Sequence, residues 1–205
     1  VNENPHIVIV QGDTTTAFVA ALAAYYKHIK IVHIEAGLRT YNKYSPFPEE
    51  MNRVLISRLA DWHFAPTQKA RQNLESEGIN KDIFVVGNTV IDALFLALSI
   101  IDRKGEEEYY RYFRNLNIDL SKKIILVTSH RRESFGEPIK NICIAIKEIA
   151  QAFSDIEIIY PVHFNPNIRN IVREILQYQD RIHLIEPLDY SYMIWLMKMS
   201  YIILT

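Results

Sequence analysis

Only one cysteine, Cys143, occurs in the 205 residues, which excludes an internal disulfide framework and cysteine-ligated zinc and suits a reducing, cytoplasmic compartment. It lies in the run IKNICIAIKEIA, where it reads as a small buried hydrophobe. Neither sign of charge dominates: 23 Lys and Arg stand against 24 Asp and Glu, for a net charge of −1. The broad basic surface that nucleic acid or an anionic membrane would attract is therefore lacking. No apolar run approaches the roughly 18 residues of a spanning helix, and no secretory signal opens the chain. There is no GxGxxG fingerprint, so no nicotinamide cofactor is expected, and no metal either. Internal repeats and low-complexity tracts are absent.

What is present is a rhythm. Apolar runs of four to seven residues alternate with longer amphipathic stretches, the βαβα pattern of parallel sheets covered by helices. Strands are expected at 6–11, 30–35, 62–66, 82–87, 123–129, 156–162, 181–186 and 201–205. Helices are expected near 14–27, 48–60, 67–77, 89–115, 137–153, 166–178 and 190–199. Thr67 and Asp189 precede helical runs as N-caps do, and Pro48, Pro138 and Pro166 suit first turns. Residues 99–121, with the acidic triplet Glu106, Glu107 and Glu108, lose the β pattern and read as a connector. A boundary is thus expected near 115–120, dividing the chain into Rossmann-like domains over 1–116 and 117–205 with a cleft between them. The chain opens without Met just ahead of a strand and closes on YIILT, read as a further buried strand. Both domains are therefore expected to be incomplete, the segment lying inside a longer protein.

Three acidic residues fall where strands end or helices begin: Asp13 in QGDTTT, Glu35 in HIEAGLRT and Glu49 in PFPEEMNR. Ligands of open α/β sheets sit at the C-terminal strand ends, and carboxylates there serve proton transfer. Asp13 has a structural alternative as the N-cap of the following helix. Glu35 ends an apolar strand, where an unpaired charge is costly, so it is either exposed or held by Arg39. Glu49 taken alone is ordinary, since carboxylates favour a helix's first turn and Arg53 offers an i,i+4 partner. In the second half VTSHRRES brings His130 and Arg131 to a strand end, a pattern suited to gripping phosphate. The strand after it delivers His163 and Asn165. His33 and His183 lie within strands and read as core.

In this order, QGDTTTAF, HIEAGLRT, PFPEEMNR, VGNTVIDAL, TSHRRES and PVHFNPN resemble the non-hydrolysing UDP-N-acetylglucosamine 2-epimerases. The resemblance runs from about residue 6 to the end. It implies the glycosyltransferase-B architecture of two Rossmann-like domains and reversible C2 epimerisation of UDP-N-acetylglucosamine to UDP-N-acetylmannosamine through a 2-acetamidoglucal. It implies Asp13, Glu35 and Glu49 as acid/base groups, without assigning each to a face of C2, and His130 near the diphosphate. Arg131, His163 and Asn165 become substrate-binding residues. Glu49, Arg131 and His163 match positions that touch a second UDP-N-acetylglucosamine acting as activator, and a homodimer is implied. The family's N-terminal Arg and Lys and its Ser-Gly-Gly phosphate loop have no counterpart here, and Ser134 stands where Asn is common. A UDP-diacetamido-sugar 2-epimerase or a hydrolysing relative would share most of these motifs. A retaining glycosyltransferase shares the fold, and a fragment limited to binding nucleotide sugar is the non-enzymatic alternative.

Overall fold

The computed structural model describes residues 3–129 and 136–205. It divides into two compact units, Val1–Asp92 and Ala93–Thr205. In the first, the order is β1 (Ile7–Gln11), α1 (Thr15–Tyr26), β2 (Lys30–Ile34), α2 (Glu49–Leu59), β3 (Trp62–Ala65), α3 (Gln68–Ser76) and β4 (Ile83–Val85). The four strands form a parallel sheet in the order β1-β2-β3-β4. Small residues explain how closely α1 approaches it: Ala17, Ala21 and Ala24 share one helical face and pack with Val10, Ile31 and Ile56. The alternation of β1 leaves Ile7 and Ile9 on the opposite, exposed face.

Helix α4 (Thr89–Lys104) runs from the first unit into the second. It is followed by α5 (Glu107–Asn115), β5 (Lys123–Val127), α6 (Glu137–Ala152), β6 (Ile156–Pro161), α7 (Pro166–Leu176), β7 (Ile182–Ile185), α8 (Tyr190–Met199) and β8 (Ser200–Leu204). These strands are parallel in the order β7-β6-β5-β8. Both faces of the central pair are buried, which is why they read as unbroken aliphatic runs. Ile125, Val127, Ile158 and Tyr160 meet α6 and α7, whereas Ile124, Leu126 and Ile159 meet α4, α5 and α8. Trp195 centres the latter layer: it is fully buried, its ring stacks 5.2 Å from Phe113, and its indole N–H donates to Glu106 at 2.7 Å.

All eight expected strands are found. The compact units divide at Asp92/Ala93, ahead of the expected boundary near 115–120. Residues 99–121, expected as a connector, are packed, with Ile101, Tyr109 and Phe113 buried against Trp195. The expected helix over 89–115 is two helices, broken between Lys104 and Glu107. Strand β8 pairs with β5 among the described strands, and in this segment Tyr201 and Ile202 are exposed.

Candidate active site

The C-terminal ends of β1 and β2 bring Asp13 and Glu35 together beside Arg53, and the first turn of α2 brings the Glu49 charge close enough to act on Asp13. At the end of β1, Gly12 takes φ = 70° while its N–H donates to the Ile34 carbonyl at 3.0 Å. Glycine suits this left-handed turn, since a Cβ there meets only Glu35 Oε2 at 3.5 Å but strains the backbone. The cap of α1 is Thr14, whose hydroxyl accepts from the Ala17 N–H at 3.1 Å. Asp13 is therefore not the cap, and its carboxylate is left facing Arg53, with 3.6 Å between Oδ2 and Nη1.

Glu35 adopts φ = 68°, a left-handed conformation that costs a non-glycine residue about 1–2 kcal/mol. Strain of this kind clusters at functional sites. Arg39 does not hold Glu35. Its guanidinium reaches Glu77 at 2.7 and 2.9 Å and Ser57 at 3.1 Å, stapling the loop after β2 to α2 and α3. The immediate surroundings of Gly37 fix that loop too, because a Cβ at this position would lie 2.2 Å from the Ala70 carbonyl oxygen.

The partner of Arg53 is Glu50, not Glu49. Glu50 is buried, accepts from the backbone N–H groups of Thr40 and Tyr41 at 2.9–3.1 Å, and lies 2.9 Å from Arg53 Nε. That last contact is an ion pair rather than an aligned hydrogen bond. Glu49 and Glu50 are adjacent, so sequence alone leaves open which one the helix turns inward. The signal was the pair EExxR, which offers Arg53 one acidic residue at i−4 and another at i−3. Asn52 was also missed: its side-chain amide donates to the Asp13 carbonyl at 2.9 Å.

Electrostatics separates these carboxylates from ordinary ones. Burial raises the pKa of Asp13 above its usual value; Arg53 pulls it down, and the charges of Glu49 and Glu50 push it up again. Burial also raises Glu35, with the Asp13 charge adding and Arg53 opposing. Carboxyl groups raised in this way, beside a fixed cation, are suited to giving and taking protons. Among the described residues no three His, Cys, Asp or Glu side chains gather as metal ligands would.

In the second unit, the ends of β5, β6 and β7 line a largely apolar pocket of about 430 Å³. Thr128, Ser129, His163, Leu188 and Met193 contribute to its wall. His163 Nδ1 accepts from the Asn165 N–H at 3.1 Å, so the neutral ring carries its proton on Nε2. Asn165 is the cap of α7, its Oδ1 accepting from the Asn167 N–H at 3.0 Å. Its side-chain oxygen is thereby committed to the fold. The expected His130 and Arg131 lie outside the described residues. No described helix is long and apolar enough to cross a membrane.

Two Rossmann-like units, each built on a parallel sheet, make this an α/β protein of the glycosyltransferase-B fold class. A sequence model of the UDP-N-acetylglucosamine 2-epimerases matches residues 1–205, and the chain belongs to that family. A UDP-N-acetylglucosamine 2-epimerase of Campylobacter jejuni is 52% identical over 205 residues, a match that takes in 98% of this chain and 54% of that protein. The Neisseria meningitidis UDP-GlcNAc 2-epimerase, in a crystal structure with UDP-GlcNAc bound, superposes with a TM-score of 0.92 at 47% identity over 97% of this chain and 54% of that one. The Methanocaldococcus jannaschii enzyme in complex with UDP-GlcNAc and UDP gives 0.77 at 34% identity, covering 97% of this chain and 54% of its own. The chain thus spans about half the length of these relatives.

Proposed function

We propose that the intact protein is a non-hydrolysing epimerase that interconverts UDP-N-acetylglucosamine and UDP-N-acetylmannosamine. The observation that carries this reading is the gathering of Asp13 and Glu35 beside Arg53, both raised by burial, with the Glu49 charge close enough to act on Asp13. C2–H of the sugar is a weak acid, and inversion needs proton removal on one face and return on the other. A basic carboxylate takes the C2 proton while the C1–O bond breaks, its electron pair leaving with UDP. The new C1–C2 double bond is the 2-acetamidoglucal. UDP oxygen then re-adds at C1 as an acidic group protonates C2 from the opposite face. Asp13, Glu35 and Glu49 supply these roles, and a raised pKa serves both directions because each group must change protonation state every turnover.

The leaving diphosphate needs cationic stabilisation, for which His130 and Arg131 are the candidates. The pocket at the strand ends of the second unit, with His163 on its wall, is a suitable receptor for the uridine nucleotide. UDP-GlcNAc and UDP are the ligands of the Neisseria and Methanocaldococcus relatives. A homodimer, a second UDP-N-acetylglucosamine as activator touching Glu49, Arg131 and His163, and a cytoplasmic location complete the proposal.

The test is the product formed by the intact protein from UDP-N-acetylglucosamine, resolved by proton NMR. UDP-N-acetylmannosamine at equilibrium with substrate is the expected result. Free N-acetylmannosamine with UDP would make it a hydrolysing enzyme; inertness toward this sugar with turnover of a diacetamido analogue would move the substrate. UDP binding without any turnover would leave a nucleotide-sugar-binding protein.

A further inference from the structure

Asp13 is clamped through the peptides on both sides of it. On its C-terminal side, Asn52 donates to the Asp13 carbonyl at 2.9 Å. On its N-terminal side, the clamp comes from β2. His33 is fully buried there, and its Nε2 lies 2.9 Å from the Gly12 carbonyl oxygen. The Gly12 N–H is already engaged by Ile34 at 3.0 Å, so both polar groups of Gly12 are tied to the neighbouring strand. The Gly12 carbonyl shares its peptide plane with the Asp13 nitrogen, and a fixed plane leaves Asp13 only side-chain rotation.

We propose that His33 is a positioning residue that orients Asp13 through the Gly12 carbonyl. This rests on the reading of Asp13 as an acid/base group. A carbonyl only accepts, so His33 must carry hydrogen on Nε2, while its Nδ1 is buried without a partner. A leucine would fill such a space without stranding a nitrogen. What the imidazole adds is the donor, which no other described side chain supplies to Gly12. Burial, opposed by the Gly12 bond, lowers the His33 pKa to about 4, so the ring stays a neutral Nε2–H donor at neutral pH. His63, its cross-strand neighbour, and Arg39 act in the same direction.

The test uses the intact protein and three variants. His33→Leu keeps bulk and removes the donor; His33→Gln places an amide N–H near Nε2; Asp13→Asn calibrates the role of Asp13. For His33→Leu we expect kcat to fall by about 10- to 10²-fold, the scale of a displaced catalytic group, with KM for UDP-N-acetylglucosamine little changed. His33→Gln should restore most of the loss. The acid limb of the pH profile should move in His33→Leu and return in His33→Gln, because Asp13 would shift against Glu35, Glu49, Glu50 and Arg53, the charges that face it. Equal losses in both His33 variants, or an unmoved acid limb, would overturn the proposal, as would failure of both to fold. Histidine ring nitrogen NMR on the parent adds an independent arm: His33 must be the Nε2–H tautomer, and an Nδ1–H tautomer refutes the clamp. If Asp13→Asn is inactive while His33→Leu is normal, the clamp fails and the function stands. If Asp13→Asn is fully active, the function reading fails instead.

Discussion

Replacing Arg53 with methionine, which keeps much of the aliphatic length and removes the charge, should change stability and pH dependence together. Its guanidinium lies 2.9 Å from Glu50 and 3.6 Å from Asp13, and the side chain is 9% exposed. Breaking a buried pair by removing one partner typically costs about 3–5 kcal/mol, because the remaining charge is stranded. Glu50 retains its bonds from the Thr40 and Tyr41 N–H groups, which favours the lower end, about 3 kcal/mol. Urea unfolding at neutral pH measures it. The kinetic consequence has a definite sign: Arg53 lowers both Asp13 and Glu35, so its loss raises both pKa values further. A group that must be deprotonated to accept the C2 proton then becomes available only at higher pH. The acid limb of kcat/KM for epimerisation should move upward in Arg53→Met and stay close to the parent's in Arg53→Lys. An acid limb that stayed in place or moved downward in Arg53→Met would refute the electrostatic account of the site.

Further outcomes follow from other parts of the structure. Asp13→Asn and Glu35→Gln should each lower turnover by at least about 10²-fold with melting temperatures kept, and near-normal rates in both would remove the acid/base assignment. Trp195→Ala should cost about 3–5 kcal/mol in urea unfolding, because the indole is fully buried; a loss below about 1 kcal/mol would contradict the packing of α5 on α8. Gly12→Ala should cost about 1–2 kcal/mol from its φ of 70° alone. Gly37→Ala should cost more, since its Cβ would clash with the Ala70 carbonyl at 2.2 Å; equal losses would show that the backbone yields there. His33 titrates near 6.5 when unfolded and at about 4 when folded, so its neutral form stabilises the fold above pH 6.5 and that contribution shrinks as pH falls. Between pH 6.5 and 5 the loss from this group is about 2 kcal/mol, and His33→Gln should flatten that slope in pH-dependent unfolding.

The strands were readable because each is a short aliphatic run whose ends are marked by polar or turn residues, as IIYPV and HLIEP show. The packing of residues 99–121 was not. Residues 99–121 carry dense charge along the chain, yet Tyr109 and Phe113 recur at i,i+4 on α5 and meet an aromatic face supplied by Trp195, far along the sequence. The three carboxylates could be placed at element ends from sequence, since a strand's end is a local property. Their partners could not. Arg39 chose Glu77 over Glu35, and Arg53 chose Glu50 over Glu49, through tertiary geometry that spacing does not encode. His33 looked like core because its donor role depends on the carbonyl of a neighbouring strand.

The most direct test of the central claim is epimerisation of UDP-N-acetylglucosamine by the intact protein in D₂O, with the C2 position followed by NMR and mass spectrometry. Proton removal by a carboxylate that exchanges with solvent predicts one deuterium at C2 of the UDP-N-acetylmannosamine formed. Complete retention of hydrogen at C2 in every product molecule would contradict proton transfer through Asp13, Glu35 and Glu49.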